Sequence, residues 1–106
     1  MDNAFANIRL QDCEISAIRE AFVHLFPGDK LWIFGSRVDP SKKGGDIDLY
    51  IETNCQDPAK IVDKRLNFLY EIQNKIGEQK IDVVVKFREF PLPIYQIARK
   101  EGIQLV

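Results

Sequence analysis

The sequence contains few of the residues that build thiolate or imidazole metal sites. Its 106 residues include one histidine, His24, and two cysteines, Cys13 and Cys55. These three residues cannot supply a network of disulfides or the four ligands of a structural zinc site. We therefore expect both cysteines to be free thiols, and we do not expect a metal centre built on histidine and cysteine.

The sequence also lacks long apolar runs and an excess of either charge. No stretch approaches the ~18 apolar residues that a membrane-spanning helix needs, and residues 1–5 lack the basic and apolar regions of a secretory signal. The 15 Lys and Arg residues balance the 16 Asp and Glu residues, which gives a net charge of −1. Such a balance does not favour general binding to nucleic acid or to an acidic membrane surface. We therefore expect a cytoplasmic protein without a nucleic-acid or membrane partner.

The rest of the composition is typical of one packed domain. Hydrophobic residues make up 45% of the chain and charged residues 29%, which argues against disorder. No repeat, low-complexity run or linker divides the sequence, and its length is that of one domain. We therefore treat residues 1–106 as a single domain.

Apolar spacing and turn residues predict an alternation of helices and strands. Helices are expected from about Asp12 to Phe26, from the Asp57 cap through Pro58 to Gly77, and from Pro91 and Pro93 to Gly102. Strands are expected at Leu31–Phe34, Asp46–Glu52 and Lys80–Phe87, with a further strand at Ile103–Val106. The predicted order is helix, strand, strand, helix, strand, helix, strand.

The lengths of the connections predict how the strands pair. About nine residues, Arg37–Gly45, join the first two strands. Because a parallel crossover needs roughly a dozen residues or more, these strands should be antiparallel. A long helix joins the second strand to the third, so these two should be parallel, with a right-handed crossover. The sequence therefore predicts an α+β fold in which helices pack on one face of a mixed sheet.

This topology brings three carboxylates to one edge of the sheet. Asp46 and Asp48 alternate with the apolar residues of the second strand and so share a face. In the third strand, Asp82 alternates with apolar residues in the same way. If the apolar sides of both strands cover the same helices, Asp82 lies on the face of Asp46 and Asp48. The first strand ends at that edge in Gly35-Ser36.

Three carboxylates in this arrangement favour a site for divalent cations. Carboxylates on strands ~4.8 Å apart repel one another, and a bound cation removes that repulsion. Carboxylate oxygens are the ligands that Mg²⁺ prefers, and two such ions ~3.5–4 Å apart can promote in-line phosphoryl displacement. We therefore hypothesise that Asp46, Asp48 and Asp82 are the metal-binding and catalytic residues.

The glycine-serine turn after the first strand supplies candidate phosphate ligands. Gly35 lets the backbone approach a phosphate closely, and its N–H and the Ser36 hydroxyl can donate to phosphate oxygens. Arg37 is placed to contact the same triphosphate. Lys42 and Lys43, further along the connection, could also contact the phosphates. The alternative interpretation is that they lie in a solvated, mobile loop.

Each of these signals has a simpler explanation when it is taken alone. An Asp-x-Asp pair on a strand can be a solvated polar face, and Gly-Ser at a strand end can be an ordinary turn. Asp82 can be a surface acid that is offset by Lys80. The combination of the three signals at one edge favours the functional interpretation. The P-loop and dinucleotide-binding glycine motifs are absent.

These residues carry a resemblance to a known superfamily. The Gly35-Ser36 pair, nine intervening residues and then Asp46–Leu49 resemble the signature of the DNA polymerase β-like nucleotidyltransferases. The segment Lys80–Val84 resembles that superfamily's third-carboxylate strand. In size and element order the chain is similar to the minimal nucleotidyltransferases, which commonly have ten intervening residues at this point. The resemblance implies a mixed-sheet palm, Mg²⁺ dependence, and transfer of a nucleoside monophosphate from a nucleoside triphosphate to a hydroxyl.

The resemblance also implies roles for single residues and a partner. Asp46 and Asp48 would bind both Mg²⁺ ions, Asp82 would complete the catalytic one, and Gly35 and Ser36 would bind the triphosphate of ATP. Minimal members are often paired with a small helical protein of the HEPN type, and some act as antitoxins that adenylylate a tyrosine on it. The expected function is therefore AMP transfer to a partner protein. The alternative is a catalytically inactive binding module that neutralises a helical partner by occlusion.

Overall fold

The helices and strands of the chain follow the predicted order. The computed structural model describes residues 5, 7–39, 41–42, 44–87 and 92–106. Its helices are α1 (Asp12–Leu25), α2 (Pro58–Ile76) and α3 (Pro93–Glu101), and its strands are β1 (Lys30–Phe34), β2 (Ile47–Glu52), β3 (Ile81–Lys86) and β4 (Ile103–Gln104). A short 3-10 turn, Gly35–Val38, follows β1. The predicted bounds are confirmed to within a few residues, while the expected helix start at Pro91 lies outside the described residues.

Local signals set the ends of α2. The Asp57 side chain caps the helix by accepting a hydrogen bond from Ala59 N at 3.0 Å. Pro58 occupies the first turn, where its missing N–H would have no partner. Gly77 follows the last helical residue. The cap, the proline and the glycine therefore account for both bounds predicted from the sequence.

The described strands form one mixed sheet in the order β3-β2-β1-β4. β1 pairs antiparallel with β2 on one side and with β4 on the other. β2 pairs parallel with β3, which is an outermost strand of the sheet. The predicted directions of β1, β2 and β3 are confirmed.

The larger core lies between one face of the sheet and the helices α1 and α2. Ile8, in the segment before α1, is buried in this core as well. Phe68 of α2 packs edge-on against Phe22 and Phe26, with ring centroids 5.9 Å apart in each case. Phe22 and Phe26 stack on one another at 5.3 Å. Phe68 therefore joins α2 to α1 at the centre of this core.

A smaller core lies on the opposite face of the sheet, beneath α3. Trp32 of β1 and Tyr50 of β2 are buried there with Tyr95 and Ala98 of α3. The α+β class and the mixed sheet are confirmed, but the prediction that helices pack on one face is right for α1 and α2 and wrong for α3. The reason lies in β1, where four consecutive residues are buried. A strand that is apolar on both faces needs a cover on both.

The expectations on the two cysteines and on membrane-spanning helices can be compared with the structure. Cys13 is exposed, Cys55 is half-buried, and both are free thiols, as predicted. Within the ranges that the structure describes, no helix combines the length and the apolar content needed to cross a membrane.

Replacing Phe68 with alanine should destabilise the fold by about 3–5 kcal/mol, because a fully buried ring is lost and a cavity is left between α1 and α2. Tyr70→Ala, on the exposed side of the same helix (68% exposed), should change the free energy of unfolding by less than about 0.5 kcal/mol. Urea unfolding of both variants measures the difference. Equal losses would contradict the role of Phe68 as the residue that joins the two helices.

Candidate functional site

Asp48 and Asp82 are direct neighbours in the sheet. Each is the second residue of its strand, and the two are paired in the parallel register of β2 and β3. Paired residues of adjacent strands point to the same face, and the strands lie ~4.8 Å apart. Asp48 is half-buried and Asp82 is exposed. The topological prediction that these two carboxylates share a face is confirmed.

Asp46 lies at the same edge, where a lysine engages its carboxylate. Lys80 Nζ is 3.3 Å from Asp46 Oδ2. The backbone brings the two residues together, because Ile47 N donates a hydrogen bond to Lys80 O at 3.0 Å. The simpler interpretation of Asp82 as a surface acid had Lys80 offset its charge, whereas the ion pair in the structure joins Lys80 to Asp46. The two side chains are 71% and 46% exposed, so this ion pair alone adds little stability.

The three carboxylates are close enough to influence one another. Burial raises the pKa of the Asp48 carboxyl above its ordinary value, and the negative charges of Asp82 and Asp46 raise it further. The hydrogen bond to Asp46 raises the pKa of the Lys80 ammonium, and the surrounding negative charge acts in the same direction. A concentration of negative charge with one lysine beside it therefore marks this edge of the sheet.

The structure supports only part of the metal site expected from the sequence. In the part of the chain that the structure describes, no three side chains of His, Cys, Asp or Glu converge closely enough to hold a metal ion. Asp48 and Asp82 lie together, whereas Asp46 is paired with Lys80. The chemistry of the donor set fits a hard cation such as Mg²⁺, since all three side chains offer carboxylate oxygens and their mutual repulsion favours a cation.

Gly35 allows the turn after β1 to lie against Asp48. Its φ of +77° is in the left-handed region, which favours glycine. A Cβ at this position would also collide with the carboxylate of Asp48. Conformation and space therefore both require glycine at the position that the sequence identified as a phosphate-binding residue.

Ser36 is covered by the far end of the same connection. A Cβ at Gly44 would collide with Ser36 Oγ and would lie 2.7 Å from Ser36 Cβ. The absence of a side chain at Gly44 therefore leaves the space that the half-buried Ser36 side chain fills. The predicted phosphate ligand Ser36 thus sits between the start and the end of the connection from β1 to β2.

The guanidinium of Arg37 holds backbone carbonyls in the structure. Its Nη1 donates to Arg9 O at 2.6 Å and its Nη2 donates to Gly45 O at 2.9 Å. Its Nε is buried and has no hydrogen-bond partner among the described residues. The contact of Arg37 with a triphosphate stays a prediction. Of the two lysines of the connection, Lys42 is exposed and Lys43 lies outside the described residues.

Arg9 also contacts this connection, and no sequence signal predicted this contact. Its backbone N donates to Arg37 O at 2.8 Å. Its Nη2 donates to Ser36 O at 2.7 Å and to Gly44 O at 3.1 Å. A single arginine before a helix has no motif and no periodicity that would predict contacts with a turn 27 residues away.

Gly35→Ala should destabilise the chain by about 2 kcal/mol or more, because alanine disfavours positive φ and its Cβ would meet the Asp48 carboxylate. Gly28→Ala is a matched control, since Gly28 has a φ of +81° with no atom near the added Cβ. Its loss should be about 1 kcal/mol, the cost of placing alanine in the left-handed region alone. Thermal unfolding of both variants, repeated in the Asp48→Ala background, isolates the collision. A Gly35→Ala loss that is independent of residue 48 would contradict it.

Asp48→Asn should stabilise the fold at pH 7 by up to about 1 kcal/mol, because it removes a charge that burial and two neighbouring carboxylates disfavour, while solvent screens part of that effect at this half-buried position. The pKa of Asp48 is higher in the folded chain than in the unfolded chain, so its ionisation opposes folding above the folded pKa. The gain should therefore shrink as the pH falls to about 3, where the carboxyl is neutral in both states.

Unfolding in urea with a chelator present, at both pH values, measures this gain. Asp63→Asn, at an exposed position of α2, is the matched control and should leave the stability unchanged within about 0.5 kcal/mol. A loss of stability in Asp48→Asn at pH 7 would contradict the repulsion between the carboxylates.

The chain matches a known protein family over most of its length. Residues 15–104 match the nucleotidyltransferase domain. The matched range runs from α1 to β4 and includes the Gly35–Val38 turn and the three aspartates. No curated protein matches the chain in sequence. Since the match covers far more than half of the residues, the chain belongs to the nucleotidyltransferase domain family.

Proposed function

We propose that this chain is a Mg²⁺-dependent nucleotidyltransferase that transfers AMP from ATP to a hydroxyl group on a partner protein. Membership of the nucleotidyltransferase domain family supports nucleotidyl transfer in general. The observation that supports Mg²⁺-dependent transfer in particular is the pairing of Asp48 with Asp82. The turn that begins at Gly35 packs against Asp48. Two carboxylates beside a glycine turn bring cation ligands and phosphate ligands to one place.

Asp46, Asp48 and Asp82 are the residues that would hold two Mg²⁺ ions. When bound, the ions supply positive charge that neutralises the phosphates and lowers the pKa of an attacking hydroxyl. Asp48 is half-buried between its neighbours and is suited to a fixed ligand position. Asp46 would exchange its contact with Lys80 for the cation, and this exposed ion pair is a weak competitor.

The Gly35–Val38 turn is the proposed binding site for the triphosphate. The absence of a side chain at Gly35 brings this turn into contact with Asp48. Phosphates held by Gly35 N–H and Ser36 Oγ would therefore lie next to the carboxylates. A phosphate contact from Arg37 would require its guanidinium to give up a bond to the carbonyl of Arg9 or Gly45. This proximity matters because phosphoryl transfer depends on positioning and charge and needs no nucleophile from the protein.

The reaction itself exchanges one bond for another at the α-phosphorus. The acceptor hydroxyl oxygen forms a bond to the α-phosphorus, and the bond between the α-phosphorus and the bridging oxygen breaks. Pyrophosphate leaves with that electron pair, and the hydroxyl loses its proton. Asp82 is exposed on the edge strand β3, so its carboxylate is the one that a large acceptor reaches and whose oxygens can accept the hydroxyl proton.

The acceptor in this proposal is a tyrosine of a small helical protein of the HEPN type, with the chain acting as the antitoxin of the pair. A surface suited to a protein partner exists on α2. Val62, Leu66 and Tyr70 recur every four residues on the side facing away from the core and are 57%, 56% and 68% exposed. Apolar side chains at this spacing form a stripe along a helix.

The same stripe supports a second candidate function. A non-catalytic module that occludes a helical partner needs an apolar surface, and Val62, Leu66 and Tyr70 offer one. The two candidates differ in their ligands. A catalytic domain binds Mg²⁺ together with a nonhydrolysable ATP analogue, whereas an occluding module needs neither, and calorimetry separates them.

Incubation with radiolabelled ATP, Mg²⁺ and the protein encoded by the adjacent gene should transfer label to that protein. Asp46→Asn combined with Asp48→Asn should reduce the transfer at least about a hundredfold, because the carboxylates that would hold the cations are lost. The readout is the label on the partner after electrophoresis.

Asp63→Asn on α2 removes one exposed carboxylate elsewhere on the chain and should retain full transfer. Label transfer that survives the double substitution, or no transfer by the unmodified chain, would contradict the proposed function.

A further inference from the structure

Arg9 joins the two ends of the connection between β1 and β2. Its side chain donates to Ser36 O through Nη2 at 2.7 Å and through Nε at 3.3 Å. The same Nη2 donates to Gly44 O at 3.1 Å. Ser36 lies two residues after β1, and Gly44 lies three residues before β2. One guanidinium therefore bridges the beginning and the end of the connection from β1 to β2. The proposed triphosphate site, the Gly35–Val38 turn, is the first part of this connection.

Arg9 is held in this position independently of its side chain. Ile8, its neighbour, is 5% exposed and packs in the larger core. The Arg9 backbone N donates to Arg37 O at 2.8 Å, and Arg9 O accepts from Arg37 Nη1 at 2.6 Å. The segment before α1 thus stays attached to the turn even without the Arg9 guanidinium. Any effect of that guanidinium is separable from the attachment.

The Arg9 contacts determine how two peptide groups are oriented. A trans peptide carries its carbonyl and its N–H on opposite sides. Because the carbonyls of Ser36 and Gly44 point to Arg9, the N–H groups of Arg37 and Gly45 point away from it. The guanidinium is planar with donors in a fixed fork, so it can hold two carbonyls at a defined separation.

We propose that Arg9 is a positioning residue for nucleotide binding, which acts by bracing the Gly35–Val38 turn against Gly44 before the triphosphate arrives. The inference rests on the proposed function, since the bound group is the triphosphate of a nucleotide. Arg9 lies before the matched residues 15–104 of the nucleotidyltransferase domain, so the brace is a feature of this chain beyond that match. Bracing raises affinity because less conformational freedom is lost on binding.

Two substitutions distinguish bracing by the Arg9 guanidinium from the effect of its positive charge and from the attachment of the Arg9 backbone to the turn. Arg9→Ala removes the three side-chain hydrogen bonds and keeps the two contacts made by the Arg9 backbone. Arg9→Lys keeps the positive charge but replaces the planar fork with a single ammonium. Arg19→Ala is the matched control, since Arg19 also donates to a backbone carbonyl, Leu105 O at 3.0 Å.

Hydrogen exchange by mass spectrometry measures the brace itself, without nucleotide. In Arg9→Ala the amides of the Gly35–Val38 turn should exchange about tenfold faster, since hydrogen bonds of modest net strength are lost. Arg9→Lys should resemble Arg9→Ala. Arg19→Ala should leave exchange in this turn unchanged.

Calorimetry with a nonhydrolysable ATP analogue in Mg²⁺ measures the consequence. Arg9→Ala and Arg9→Lys should each bind the analogue about tenfold more weakly than the unmodified chain, with the loss in KM and not in kcat when transfer is assayed. Arg19→Ala should bind within twofold of the unmodified chain even if it is less stable. Affinity that Arg9→Lys restores fully would indicate long-range charge and overturn the brace.

The exchange experiment keeps this inference distinct from the proposed function. No analogue binding by the unmodified chain would refute the proposed function, and the exchange rates would still decide whether Arg9 braces the turn. Exchange in Arg9→Ala that stays within twofold of the unmodified chain would overturn the inference. Equal losses of affinity in Arg9→Ala and Arg19→Ala would overturn it as well, because they would reduce Arg9 to a general contribution to stability.

Discussion

Repulsion between carboxylates on adjacent strands is the interaction on which the candidate site depends. The parallel pairing of β2 with β3 puts Asp48 beside Asp82. Burial is the largest cause of the raised pKa of Asp48, and the negative charges of Asp82 and Asp46 raise it further. Neither side chain belongs to a hydrophobic core. An amide or a hydroxyl at Asp48 would serve the fold better, because it would remove the repulsion without removing bulk. Charge that opposes folding is typical of positions where chemistry uses it.

The carboxylates that repel one another lie on the second face of the sheet, the face that α3 covers in part. Trp32 and Tyr50 are covered there by α3, whereas Asp82 at the edge strand is exposed. Phe34, the last residue of β1, is buried on this face and is paired with Asp48 in the register. Asp48 therefore lies at the border between an apolar core and solvent. This position explains why burial is the largest cause of its raised pKa.

The features that follow from neighbouring residues could be predicted from the sequence, and those that depend on distant side chains could not. Caps, apolar spacing and connection length predicted α1, α2 and the directions of β1, β2 and β3, and strand alternation then placed Asp48 and Asp82 on one face. The consecutive apolar residues of β1 indicated burial on both faces but not that α3 covers the second. Lys80 is two residues from Asp82 in sequence and 34 residues from Asp46, yet its ammonium pairs with Asp46, so this contact depends on the pairing of β2 with β3 and not on a local pattern. Arg9 reaches over 27 and 35 residues, beyond any local pattern.

The described part of the connection from β1 to β2 is held by hydrogen bonds and by Val38, which packs against the larger core. Guanidinium groups of Arg9 and Arg37 hold the carbonyls of Ser36, Gly44 and Gly45. Fixing the backbone of one residue costs ~1–2 kcal/mol of conformational entropy, whereas each hydrogen bond returns about 1 kcal/mol net. Any ligand that binds the ordered turn preferentially must stabilise it further. If that ligand is the proposed triphosphate, its affinity and the order of this connection are one coupled property, set jointly by the turn, Arg9 and Arg37.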